Sequence, residues 1–108
     1  MQVRLFTGAD ASRWDDFVRE HPHGSPFHLT GWKQAMEATF GYEPKYLLAE
    51  DGGRLVAVLP LFLISNFLTG RILLSTPFAV YGGVLASSPE ALQAVKQELE
   101  RLGRELRV

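Results

Sequence analysis

Lys45 to Ser65 reads "KYLLAEDGGRLVAVLPLFLIS". Two apolar runs, Lys45 to Glu50 and Arg54 to Ser65, flank Asp51-Gly52-Gly53. Glycine reaches positive φ without steric cost, so this turn between two apolar runs predicts an antiparallel hairpin. "RILLS", Arg71 to Ser75, follows an Asn66 to Gly70 turn and predicts a third strand in the same sheet. Pro60 interrupts the second run. It has no N–H to give to a ladder, so it is expected at a bulge or where the neighbouring strand has ended.

Upstream, Val3 to Phe6 is a short apolar run closed by Thr7-Gly8, as a first strand would be. Asp10 or Ser12 can cap a helix whose Trp14, Phe17 and Val18 share one face. Pro22, Gly24 and Pro26 make "HPHGSP" a loop. Thr30 can cap a second helix with Trp32, Ala35, Met36 and Phe40 on one side and Gly41 at its end. Downstream, Ser87-Ser88-Pro89-Glu90 combines a serine cap, a first-turn proline and an acid, which starts a helix running to about Arg104. Its Leu92, Val95, Leu99, Leu102 and Leu106 form one apolar stripe. The order is β-α-α-β-β-β-α, an α+β arrangement of mostly antiparallel sheet with helices packed on it. Trp14, Phe17, Trp32, Phe40, Leu59, Leu61 and Leu99 are expected in the core.

Composition limits the alternatives. With 108 residues there is room for one domain, and 46% hydrophobic with 21% charged residues is a globular composition. A net charge of -1 leaves no broad basic surface, which argues against nucleic acid and against membrane binding by charge. The 0 cysteines remove disulfides, thiolate catalysis and sulfur-ligated zinc, and fit a reducing cytoplasm. "MQVRLFTGAD" has no basic stretch followed by an apolar core, as a secretory signal would. Leu55 to Leu68 falls short of the ~20 apolar residues that cross a bilayer and is broken by Pro60, Ser65 and Asn66.

Several strings carry a family resemblance: Trp14 with Phe17-Val18, "SPFHLTGW" at Ser25 to Trp32, "FGYEPKYLLAEDGGRLVAVLPLFL" at Phe40 to Leu63, and "GRILLSTPFAVYGGVLAS" at Gly70 to Ser87. Together with the element order they resemble the first half of a GNAT-like fold in the Fem family of aminoacyl or peptidyl transferases and its exopolysaccharide-linked bacterial relatives. The resemblance implies an incomplete domain: the N-terminal acceptor-binding half of an acyl or aminoacyl transferase acting in the cytoplasm on a cell-envelope or exopolysaccharide precursor. It implies the rest of the parent transferase as partner, and this half alone as inactive. "RELRV" likewise reads as a helix end running into something further. An open sheet edge would then invite pairing with another copy. The alternative is a non-catalytic module of the same fold that docks a protein partner.

The resemblance points to Lys33, His28, Tyr81, Gly82 and Gly83 as acceptor-binding residues. Each has a plainer reading: Lys33 as an exposed lysine, His28 as a capping or packed residue before the second helix, and Tyr81-Gly82-Gly83 as a sharp turn between strand and helix with Phe78, Val80 and Val84 packed inward. The phosphate-cradling string Q/R-x-x-G-x-G/A of GNAT enzymes is absent, so no bound coenzyme A or other cofactor is expected in this chain. His21, His23 and His28 lie close together, but in a proline-broken loop without the rigid support a metal site needs, so no metal is expected. Neither Asp15-Asp16 nor Glu50-Asp51 converges on one bond, and Ser75, Ser87 and Ser88 have no histidine partner, so no catalytic group is assigned.

Overall fold

The computed structural model describes residues 1–66, 70–74 and 83–106. The hairpin is built from β3 (Leu47–Asp51) and β4 (Arg54–Leu59), antiparallel, with Leu47 opposite Leu59 and Asp51 opposite Arg54. Gly52 and Gly53 turn at φ 61° and 82°, the pair of positive values that a two-residue hairpin loop of this hand requires. β1 (Gln2–Leu5) adds to the far side of β3, and β7 (Leu85–Ala86) to the far side of β4, giving a four-stranded sheet β1-β3-β4-β7 with every pairing antiparallel.

The two-residue period of the central strands separates two cores. Leu48 and Val58 face α1 (Ala11–Glu20) and α2 (Thr30–Phe40), in a cluster with Trp14, Val18, Met36, Tyr46, Phe62 and Leu85. Leu47, Ala49, Ala57 and Leu59 face the other way, against Ala91, Val95 and Leu102 of α3 (Pro89–Glu105). Trp14 is fully buried at the centre of the first cluster, stacked on Tyr46 at 5.1 Å and edge-on to Phe6 at 5.5 Å, with its Nε1 donating to the His28 carbonyl at 2.7 Å. Ser88 caps α3 as read, its Oγ accepting from the Ala91 amide at 3.1 Å. Gly41 closes α2 in the left-handed region at φ 67°.

Several expectations are corrected. The run Arg54 to Ser65 is not one strand: β4 ends at Leu59, and β5 (Phe62–Asn66) is the middle strand of a second, three-stranded sheet, between β2 (Glu43–Pro44) and β6 (Gly70–Leu74). Pro60 stands at that break, where the missing N–H costs no ladder bond. β6 (Gly70–Leu74) pairs with β5 in this second sheet, not with the hairpin. β2 (Glu43–Pro44) and β7 are pairs of residues too short to carry a period, and both escape a reading by pattern. Asp10 lies at the start of α1 without capping it through its side chain, being claimed by Arg4 and Thr7. Thr30 opens α2 but its hydroxyl and amide both donate to Asp15 of α1. Phe40 is 49% exposed and Ala35 is exposed, while Phe17, Trp32 and Leu99 are half-buried.

Candidate functional site

Lys33 stands in the first turn of α2, and the helical repeat places Glu37 on the same side, Nζ to Oε1 2.6 Å. Just past β1, the Phe6 amide donates to the Tyr46 carbonyl at 2.8 Å, which sets the two rings beside each other under that lysine. The ammonium lies 5.2 Å from the Phe6 centroid and 6.0 Å from that of Tyr46. The plain reading of Lys33 as an exposed lysine is therefore corrected, since only 15% of its side chain is exposed. Aromatic faces attract the cation while its stem covers apolar surface. Leu5, Phe6, Gly8, Lys33, Lys45 and Tyr46 border a small cleft of about 230 Å³ here. Tyr46 is 2% exposed; burial, with the Glu37 charge adding to it, pushes its hydroxyl well above the ordinary tyrosine value, so it stays a neutral donor. Tyr46 Oη and Trp32 Nε1 are buried and find no hydrogen-bond partner among the described residues.

His28 and Gly83 are brought together from 55 residues apart: the ring Nε2 lies 3.1 Å from the Gly83 carbonyl. Because a carbonyl oxygen can only accept, Nε2 carries the proton, and Nδ1 is left to accept from the Ser25 amide at 3.2 Å and the Ser25 hydroxyl at 2.8 Å. The ring is 1% exposed. Burial, together with the charge of His21, holds it below its ordinary 6.5 against the opposing effect of the Gly83 bond. This serine–histidine contact is a local cap of the short 3₁₀ turn Pro26–His28, with both ring nitrogens already committed, and it offers no base to a substrate. Gly83 adopts φ 98°, a conformation that accounts for glycine there by turn geometry. Tyr81 and Gly82, with Phe78 and Val80, lie outside the described residues; Val84 packs half-buried on the α3 side.

A larger cleft, about 750 Å³, opens between the end of α1 and the β4–β7 margin, bordered by Arg13, Asp16, Glu20, His21, Arg54 and Ser87. Of its residues, the sequence offers His21 and His23 as metal ligands, Asp16 as half of a carboxylate pair and Ser87 as a hydroxyl without a histidine partner; among the described residues no three metal-ligating side chains converge into a metal-holding group. Around Lys33, the residues missed were Phe6, Glu37, Lys45 and Tyr46. The spacing of Lys33 and Glu37 was the one signal available for that group. The strand pairing that brings Phe6 to Tyr46 has no local signature.

No family model matches the sequence, and the search of curated proteins gave no match either. Among solved structures, the fold is similar to the crystal structure of FemX, with a TM-score of 0.64 and 21% identity. The likeness covers 98% of this chain and 25% of the FemX chain, so this chain spans a quarter of that protein's length. At this identity the likeness shows the fold: mixed α+β, an antiparallel four-stranded sheet with helices packed on it, compatible with part of a GNAT-like, Fem-type domain. No helix among the described residues is long and apolar enough to cross a membrane.

Proposed function

We propose that this chain is the N-terminal, acceptor-binding half of a GNAT-like acyl or aminoacyl transferase acting in the cytoplasm on a cell-envelope or exopolysaccharide precursor. The observation that carries the reading is the FemX likeness over 98% of the chain. It is supported by the sequence resemblance to Fem-type transferases and by the cleft at Lys33. In this reading Lys33 meets an anionic group of the acceptor, exchanging part of its contact with Glu37 for the ligand. Tyr46, whose Oη has no partner among the described residues, lines the same cleft. Tyr81 and Gly82 are proposed to border the acceptor with Gly83, His28 to hold that border, and the donor and the reacting groups to come from the remainder of the parent transferase.

The test is transfer kinetics of the full-length parent. Lys33→Met keeps the stem and removes the charge, and it is expected to raise the acceptor KM about tenfold with kcat within about twofold. The double variant Lys33→Met/Glu37→Gln, which leaves no unpaired carboxylate, is expected to do the same. An unchanged KM in both removes Lys33 from the site. A parent that transfers no acyl or aminoacyl group to any envelope or exopolysaccharide precursor overturns the reading as a whole.

A further inference from the structure

β7 is an edge of the four-stranded sheet among the described residues. The Ser87 amide donates inward to Val56 at 2.9 Å, and because successive residues of a strand alternate, the backbone groups of Ala86 point away from β4. That open edge is covered by the loop between α1 and α2. His21 Nε2 meets the Ala86 carbonyl at 3.0 Å, and His28 Nε2 meets the Gly83 carbonyl at 3.1 Å.

The two imidazoles are wired alike. Each gives its Nε2–H to a carbonyl of the 83–86 segment, and each uses Nδ1 to accept a backbone amide of its own loop: His23 N to His21 at 3.1 Å, Ser25 N to His28 at 3.2 Å. A neutral ring satisfies both ends. A second proton on either Nδ1 turns an acceptor into a donor facing an N–H, which breaks the loop's own bond and leaves a charge against the sheet edge. We propose that the His21–His28 loop is a proton-operated clasp that closes the β7 edge when both rings are neutral and releases it on acidification.

The surroundings do not neutralise such a charge at His28. Segment 83–86 contributes Gly, Val, Leu and Ala, with no titratable side chain. Asp15 of α1 spends its two oxygens on Thr30 and Lys33 of α2 is turned to Phe6 and Tyr46, while the charge that acts on the His28 ring among the described residues is that of His21, itself a cation once protonated. Around His21 the cleft brings Arg13, Asp16 and Glu20 from α1, His23 from the loop and Arg54 from β4, a set of mixed sign that includes two guanidiniums. Opening the clasp would widen this same cleft, which lies between the loop and β7. The inference does not depend on the transferase reading.

Imidazole and amide NMR of the unmodified 108-residue chain tests it, with hydrogen exchange followed from about pH 7.5 to about pH 5. Both rings are expected as Nε2–H tautomers at the upper end. As His28 titrates, exchange protection of the His23, Ser25 and Leu29 amides should fall at least roughly tenfold after correction for intrinsic rates, while the Val95 amide of α3 holds. The double variant His21→Gln/His28→Gln should lose that pH dependence. An Nδ1–H tautomer at His28, protection that ignores its titration, a loss that α3 follows in step, or the same pH dependence in the double variant overturns the clasp.

Discussion

Asp10 sits where three parts of the chain meet. Arg4 of β1 grips both its oxygens at 2.8 Å, the Thr7 amide and hydroxyl donate to it at 2.8 and 3.0 Å, and Arg4 reaches on through Nε to Glu50 of β3 at 2.7 Å. The Arg4 guanidinium, with help from Thr7, holds the Asp10 carboxyl far below the usual range, and Arg4 followed by Arg13 lowers Glu50. Both carboxylates are depressed in the folded chain, so their contribution is fully present above the ordinary values of 3.8 and 4.5 and is lost as pH falls below them. Denaturant melts should therefore show stability declining from about pH 5 downward. Asp10→Asn should cost about 2 kcal/mol at neutral pH and flatten that decline. Gly24 is fixed by space: a Cβ there would meet the Val18 carbonyl oxygen at 2.0 Å. Gly24→Ala should cost about 2 kcal/mol, and a neutral result would show that the loop relaxes freely.

Among the elements, α1 is held by one residue more than by any other. Trp14 fills the space between Phe6 and Tyr46 and ties α1 to the loop through the His28 carbonyl. Trp14→Phe keeps a ring in place but strands that carbonyl, for an expected loss of 1–3 kcal/mol, roughly the cost of a buried unsatisfied group. The cap of α3 is simpler: Ser88→Ala removes an acceptor of the Ala91 amide and should cost about 1 kcal/mol, measured by chemical denaturation. The hairpin turn and the start of α3 were legible because glycine at positive φ, a serine cap and a first-turn proline act within a few residues of themselves. Asp10 and Thr30 had the right residue types for caps. Their side chains were drawn off by Arg4 and Asp15, partners that no local window contains.

At the scale of the whole molecule, one sheet separates two cores that share only its backbone. Val58 belongs to the core under α1 and α2, Val95 to the core under α3. Val58→Ala and Val95→Ala should therefore be additive within about 0.5 kcal/mol, while unfolding remains a single transition because the sheet is common to both. A coupling well beyond that, measured as a double-mutant cycle, would mean that the layers adjust through the sheet. The expected pairing of copies through an open edge meets a specific obstacle at β7, whose outward carbonyl is taken by His21.

The sequence by itself determined the antiparallel hairpin, the three helices in order and the α+β class, because period, turn chemistry and capping are set within short windows. Tertiary structure decided the rest. It parted Arg54 to Ser65 into two sheets at Pro60, since a strand follows whichever neighbour is present to accept its bonds. It left Phe40 at the surface although it lies on the apolar stripe of α2, because a stripe shows which face turns inward and not how far the partner layer extends. It also turned His28 into a buried link to Gly83 and set Lys33 over two rings. Those positions depend on strands and loops that are distant in the chain and adjacent only once the sheet has formed.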